Sequence, residues 1–218
     1  MKYVSTHMKK INVIIIHGAY GHPEENWFGW LKRELQKIEV ACYVPALPTP
    51  ENQNPSSWIE AFNLHFSWKA AKSLRDGGYN LNQSCGSFIH AHTVMIGHSL
   101  GAAFILRWLE KHDVDLFASI LVGAFLGEVG FKQFDSINQP FFETPFSWEI
   151  IRKRSRQFFC YHGENDPYVS RNNFDFIAEH LDARKIILAN AGHMNTASGY
   201  SQFPQLLLHL KELMEQVR

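Results

Sequence analysis

Residues 93–101 read Thr-Val-Met-Ile-Gly-His-Ser-Leu-Gly, a short apolar run that leads into a serine with a glycine two positions before and after it. Thr93–Ile96 predicts a β-strand, and Gly101–Lys111 predicts a helix because its apolar residues recur on one face. A strand that turns at once into a helix makes a sharp bend, in which side chains at the two glycine positions would clash. The pattern therefore predicts a strained turn that exposes the Ser99 hydroxyl at a strand end.

The rest of the chain alternates short β runs with longer helical runs. The other predicted strands are Ile11–Ile16, Glu39–Val44, Phe117–Val122, Gln157–Tyr161 and Lys185–Leu188. The other predicted helices cover residues 27–38, residues 56–71 with Ser56 or Ser57 as the N-cap, and residues 204–217. Residues 74–90, which contain several glycines and asparagines, predict a loop or an irregular segment.

This alternation indicates right-handed crossovers and a mainly parallel sheet of about six strands between two helical layers. The expected fold class is therefore α/β, as a three-layer α/β/α sandwich. No repeat or long linker divides the sequence. We expect one domain over residues 11–218, preceded by an N-terminal extension of residues 1–10.

The composition limits the kinds of partner. Lys plus Arg and Asp plus Glu number 21 each, so the formal net charge is zero, whereas proteins that bind nucleic acid normally carry a basic excess. The longest apolar run, Leu116–Gly127, is shorter than the roughly 18 residues that a membrane span needs. The three cysteines form no C-x-x-C pair, and the one H-x-H pair is His90 and His92. We expect a cytoplasmic protein without a metal site, with neither nucleic acid nor a membrane as partner.

Two further polar segments follow predicted strands, and ligands of parallel sheets bind at the carboxyl ends of the strands. Asp166 follows the fifth strand in a turn before a proline, with Glu164 as the alternative acid. His193 follows the sixth strand, with His98 and His162 as alternative bases. The order serine, acid, histidine along the chain is typical of one class of serine hydrolases. It predicts a catalytic triad of Ser99, Asp166 and His193.

The loop after the first strand, residues 16–21, is expected to complete the site. In such hydrolases a loop of this kind supplies one backbone N–H to the oxyanion hole, and the residue after the nucleophile supplies the other. We predict Ala19 as the first donor, with Tyr20 as the alternate, and Leu100 as the second. An apolar substrate pocket is expected nearby, and its candidates, each also compatible with ordinary core packing, are Tyr20, Phe141, Phe142, Trp148, Tyr168 and Met194.

Several motifs carry a resemblance to a known family. In chain order they are HGAYG at 17–21, WFGWLKREL at 27–35, PALPTP at 45–50, IGHSLG at 96–101, FETPFSWEII at 142–151, HGENDPYV at 162–169 and AGHMN at 191–195. From residue 11 to the C-terminus the chain resembles the α/β-hydrolase superfamily, and within it the small serine hydrolases related to retinoblastoma-binding protein 9.

The resemblance implies a compact α/β-hydrolase with strand order 2-1-3-4-5-6 and no large cap domain. It places the family's nucleophile, acid and base on Ser99, Asp166 and His193. The segment 74–90 is longer than the family's link before the nucleophile strand. An LxCxE motif, which mediates binding to the retinoblastoma protein, is absent from the sequence, so no such protein partner is expected.

These observations predict a serine hydrolase without a cofactor. Its expected substrates are small-molecule carboxylic esters, or thioesters and amides, with a small or medium acyl group that passes through an acyl-enzyme. Two alternatives use the same fold. One is an acyltransferase in which an alcohol, amine or thiol replaces water. The other is a non-catalytic protein-interaction module.

Overall fold

A computed structural model describes residues 11–75 and 88–217 of the chain. Its centre is a sheet of six parallel strands in the order β2-β1-β3-β4-β5-β6, which confirms the predicted topology. The strands are β1 (Asn12–Ile16), β2 (Ala41–Tyr43), β3 (Thr93–His98), β4 (Ala118–Val122), β5 (Phe158–Gly163) and β6 (Arg184–Leu188). The predicted N-terminal extension, residues 1–10, lies outside the described residues, and the single domain over 11–218 stays a prediction.

Seven helices are described around this sheet. They are α1 (Phe28–Lys37), α2 (Pro55–Arg75), α3 (Leu100–Lys111), α4 (Lys132–Asn138), α5 (Trp148–Lys153), α6 (Arg171–Leu181) and α7 (Pro204–Glu215). Two short 3-10 turns, Gln139–Phe141 and Thr196–Ser198, follow α4 and precede α7.

The alternation of side chains along each strand divides the core into two layers. In β1, Val13 and Ile15 pack with α1 and α7 on one face, through rings such as Trp27. Ile14 and Ile16 face the other side, where α2, α3 and α6 cover the sheet. All five residues of β1 are buried, which explains the uninterrupted β-branched run from Val13 to Ile16.

The boundaries of α2 differ from the sequence prediction. Its N-cap is Asn54, whose Oδ1 accepts a 2.9 Å hydrogen bond from the Ser57 N–H, so neither Ser56 nor Ser57 caps the helix. Pro55 occupies the first helical position, where its missing N–H is not needed. The helix continues to Arg75 and so includes the first residues of the segment predicted to be irregular. Most of that segment, residues 76–87, lies outside the described residues.

Within the described ranges, no helix is long and apolar enough to cross a membrane. The same ranges contain no group of three or more His, Cys, Asp or Glu side chains that could hold a metal ion. His90 and His92 lie beside each other, with the His92 N–H donating to His90 Nδ1. Cys42 and Cys160 are both buried.

Candidate active site

Ser99 lies in a strained turn between β3 and α3. Its backbone has φ 57° and ψ −123°, in a region that side-chain-bearing residues rarely adopt. A Cβ on Gly97 would lie 2.5 Å from the Gly101 carbonyl oxygen, and a Cβ on Gly101 would lie 2.4 Å from the Ile16 carbonyl oxygen. Both glycines are therefore required sterically, as the G-x-S-x-G pattern predicts. The Ser99 N–H donates to Val122 O at 2.8 Å, which ties the turn to the end of β4.

The loop after β1 is held against this turn by His17. The Leu47 N–H donates to His17 Nε2 at 3.0 Å, so the imidazole proton is on Nδ1, which donates to Gly18 O at 2.9 Å. Burial lowers the pKa of His17 and favours this neutral form. A Cβ on Gly18 would lie 3.0 Å from Ser99 Cβ, so only glycine allows this close approach.

The candidate oxyanion donors differ in whether their backbone N–H already has a hydrogen-bond partner. The Tyr20 N–H already donates to Thr49 Oγ1 at 2.9 Å and to Gln53 Oε1 at 3.3 Å. The Ala19 N–H has no hydrogen-bond partner among the described residues. Leu100 is the first residue of α3, where an N–H finds no partner within its own helix. The geometry thus favours Ala19 over Tyr20 as the first donor, with Leu100 as the second.

Asp166 and His193 form a buried pair. Asp166 Oδ2 lies 2.8 Å from His193 Nδ1, the Asp166 side chain is fully buried, and that of His193 is 8% exposed. The other carboxylate oxygen accepts the N–H groups of Tyr168 at 2.9 Å and Val169 at 3.0 Å. Burial raises the pKa of Asp166, but the hydrogen bond to His193 and the two N–H donors outweigh it and lower the pKa below its ordinary value. The carboxylate is therefore ionised and holds the imidazole in one orientation.

His193 also lies close to the ends of two other strands. Gly123, which follows β4 with φ 57°, lies so near the imidazole that an added Cβ would be 3.0 Å from His193 Cε1. His193 and Ser99 line the same cavity. No hydrogen bond joins Ser99 Oγ to His193 in this part of the described structure, and catalytic hydrogen bonds of this type commonly tighten only when substrate binds.

The loop that carries His193 is anchored by three side chains from distant parts of the chain. His98 Nε2 donates to His193 O at 2.9 Å, and Trp27 Nε1 donates to Met194 O at 3.0 Å. Asn26 Oδ1 accepts the N–H of Thr196 at 2.9 Å. Sequence reasoning did not find these roles, because each contact joins residues at least 95 positions apart.

The alternative acid and bases lie elsewhere. Glu164 is exposed, and its backbone N–H pairs with Leu188 O. His162 stacks on Phe174 with ring centroids 4.8 Å apart. Burial lowers the pKa of His98 to about 3, with the neighbouring His193 adding to the effect, so its imidazole is neutral and acts as a donor to the backbone.

A cavity of about 710 Å³ opens beside Ser99 and His193. Ala19 lines it, and five aromatic rings form much of its wall: Tyr20, Phe125, Phe131, Phe134 and Tyr168. The Tyr168 ring meets the His193 imidazole edge to face, with centroids 5.2 Å apart. Among the described residues that line it, Glu25 is the one Asp, Glu, Lys or Arg. The cavity is therefore walled by aromatic rings together with neutral polar side chains, and it has acidic character at one place.

Two of the six predicted pocket residues, Tyr20 and Tyr168, line this cavity, and four do not. Met194 is fully buried in the core beneath α1 and α7. Trp148 packs against Phe146 and against His180, at centroid distances of 5.3 and 4.9 Å. Phe142 packs on Phe125 and lines a separate depression. Trp148 begins α5 and Phe142 follows the 3-10 turn Gln139–Phe141, and no periodicity in the sequence predicts the direction of a side chain on such short elements.

Phe141, the remaining predicted pocket residue, is fully buried against Trp58. The cavity is lined instead by Phe125, just beyond β4, and by Phe131 and Phe134 at the start of α4. The sequence does indicate that Phe125 lies near the site, since this residue follows the end of β4 by three positions. No periodicity pointed to α4, which is seven residues long.

The six-stranded parallel sheet and the strained serine turn at its carboxyl edge define the molecule as an α/β-hydrolase. The chain belongs to the serine hydrolase family, whose model matches residues 82–212. The resemblance stated from the motifs is thereby confirmed.

Individual relatives cover most of the chain. It is 24% identical over 191 residues to the serine hydrolase RBBP9 of Rattus norvegicus, which covers 86% of each protein. It resembles the crystal structure of the ydeN gene product of B. subtilis with a TM-score of 0.78 and 22% identity, over 94% of this chain and 100% of that chain. Est1E from Butyrivibrio proteoclasticus, with ferulic acid bound, has a TM-score of 0.59 and 17% identity over 95% and 87% of the two chains.

Proposed function

We propose that the protein hydrolyses carboxylic esters that carry a neutral acyl group of small or medium size, with Ser99, His193 and Asp166 as its catalytic triad. The observation that carries the proposal is the 2.8 Å contact between Asp166 Oδ2 and His193 Nδ1, beside the cavity that Ser99 also lines. Membership of the serine hydrolase family supports a hydrolytic reaction.

The proposed reaction begins when His193 accepts the proton of Ser99 Oγ as this oxygen attacks the ester carbonyl carbon. Asp166 keeps the imidazole oriented and stabilises its positive charge. The N–H groups of Ala19 and Leu100 stabilise the oxyanion, and one such donor typically contributes about 3–4 kcal/mol. His193 then protonates the leaving alkoxide, and an acyl-enzyme remains. Water, activated by the same imidazole, attacks this intermediate and releases the acid.

The substrate class follows from the lining of the cavity. Aromatic walls favour apolar acyl groups, and the absence of Lys and Arg from the described lining leaves a substrate carboxylate without a partner for its charge. Ferulic acid, the ligand bound to Est1E, is an aromatic acid, which agrees with an aromatic acyl site in this fold. Thioesters and amides would react through the same steps and are the second substrates to test.

The decisive experiment uses a fluorophosphonate probe, which phosphonylates activated serines. We expect labelling of the wild-type protein and none of Ser99→Ala, while Ser201→Ala, at an exposed serine, serves as the matched control. Hydrolysis of a p-nitrophenyl ester should fall by about 10⁴–10⁶-fold in Ser99→Ala. Undiminished turnover in this variant would exclude Ser99 as the nucleophile.

Product analysis separates hydrolysis from acyl transfer. With p-nitrophenyl butyrate and an added alcohol, amine or thiol, we expect free butyrate to remain the main product. A predominant acyl-acceptor product would identify an acyltransferase. A wild-type protein that is folded but neither labelled nor active would favour the non-catalytic alternative.

A further inference from the structure

A hydrogen-bonded series of buried polar side chains lies behind the loop that carries Ala19. Gln53, 4% exposed, follows β2, and Asn138, fully buried, is the last residue of α4. Gln53 Nε2 donates to Asn138 Oδ1 at 2.6 Å, and Thr49 Oγ1 donates to Gln53 Oε1. Burying amides in this way is costly unless they are hydrogen-bonded, so the position of each depends on the others.

This series of hydrogen-bonded side chains ends at the backbone N–H of Tyr20, next to Ala19, the proposed oxyanion donor. The Tyr20 N–H donates to both Thr49 Oγ1 and Gln53 Oε1, at 2.9 and 3.3 Å. Tyr20 has φ 55°, a left-handed conformation that persists only when the surroundings hold it. On the other side of Ala19, the Gly18 carbonyl accepts from His17 Nδ1 and from the Gly21 N–H. The peptides before and after Ala19 are thus both fixed.

We propose that Gln53 is a positioning residue of the oxyanion hole. By accepting the Tyr20 N–H it fixes the Ala19–Tyr20 peptide, and by donating to Asn138 it ties this peptide to α4, whose Phe134 lines the cavity. The inference rests on the proposed function, because it concerns the same oxyanion. A displaced donor weakens transition-state binding more than substrate binding, since the oxyanion forms only during the reaction.

The test compares two substitutions of the same side chain. Gln53→Leu removes both the acceptor and the donor, and we expect kcat for p-nitrophenyl butyrate to fall about 10–100-fold with KM changed by less than about threefold. Gln53→Glu keeps the acceptor for the Tyr20 N–H, and an amide rotation at Asn138 supplies the new carboxylate with a donor, so we expect kcat within about threefold of the wild-type value. Glu51→Gln, at an exposed position of the same loop, is the matched control.

A second readout reports on the oxyanion hole directly. Butylboronic acid forms an adduct with an activated serine and places a boronate oxygen where the oxyanion lies. Its inhibition constant should rise in Gln53→Leu by the same factor as kcat/KM falls, which a general loss of stability would not produce. Thr49→Val, which removes one acceptor of the Tyr20 N–H, should show the same proportionality with a smaller change, and it carries the test if Gln53→Leu does not fold.

The outcomes distinguish this inference from the proposed function. A folded Gln53→Leu or Thr49→Val protein with wild-type kcat and wild-type boronate inhibition would overturn the positioning role and leave the triad intact. Loss of activity in Gln53→Leu without a change in boronate inhibition would also overturn it. A wild-type protein that fluorophosphonate does not label would overturn the proposed function, and this inference with it.

Discussion

At the scale of single residues, the imidazole of His98 links the stability of the folded protein to pH. It is buried and neutral, with a pKa lowered to about 3 by burial, whereas an unfolded chain protonates this residue near the ordinary value of 6.5. Between these values the unfolded state binds one more proton than the folded state, so the free energy of unfolding rises with pH. Its contribution is lost as the pH falls from about 6.5 towards 3, by about 1.4 kcal/mol per pH unit.

His98→Gln should therefore flatten the pH dependence of stability. The glutamine amide still donates to His193 O but takes up no proton, so the slope of unfolding free energy between pH 4 and 6 should decrease by about 1.4 kcal/mol per unit. Urea unfolding at several pH values measures the slope, and His22→Gln, at an exposed histidine, is the matched control. An unchanged slope in His98→Gln would show that His98 is protonated in the folded protein.

The sequence located the candidate catalytic residues better than the residues that hold them. Ser99, Asp166 and His193 each follow a strand end, and the carboxyl ends of parallel strands share one edge of a sheet, so local pattern and chain order suffice to predict that these three candidates lie near one another. The contacts of His98 and Gln53 depend on side chains that meet only in the folded molecule. No local pattern in the sequence encodes such a meeting.

At the scale of elements, the start of α1 acts as a clamp on the loop that carries His193. Trp27→Phe keeps most of the ring but removes the N–H that Met194 O accepts at 3.0 Å. A buried carbonyl without a partner costs about 1–3 kcal/mol, and we expect that loss of stability in urea unfolding together with a lower kcat. Trp30→Phe is the matched control, because its indole makes no hydrogen bond within the described residues. Equal effects of the two substitutions would contradict the clamp.

The elements differ in how well the sequence predicted them. Long amphipathic helices such as α1, α3 and α7 were predicted within about two residues at each end, because several turns repeat the same apolar face. α4 and α5 have seven and six residues, which is too short for a repeat to appear. The cavity wall depends on α4, and this explains why Phe131 and Phe134 were missed while Trp148 was assigned to the pocket.

At the scale of the whole molecule, the charged side chains are distributed unevenly. The chain carries equal numbers of acidic and basic side chains, yet within the described part of the structure only Glu25 of either group lines the cavity. An anionic acyl group that enters the cavity loses hydration to aromatic rings and gains no cation in return. The molecule should therefore select substrates by charge as well as by shape.

The comparison of two p-nitrophenyl esters of similar length tests this selection. We expect kcat/KM for the butyrate to exceed that for the anionic hemisuccinate by at least about tenfold, since an unpaired carboxylate costs a few kcal/mol even in a partly hydrated site. Glu25→Gln should raise the hemisuccinate value about two- to threefold and leave the butyrate value unchanged, because one exposed charge acts through a high dielectric. Glu24→Gln, an exposed neighbour that does not line the cavity, is the matched control. Equal kcat/KM values for the two esters in the wild-type protein would mean that substrate charge stays in solvent, outside the aromatic walls, when Ser99 attacks.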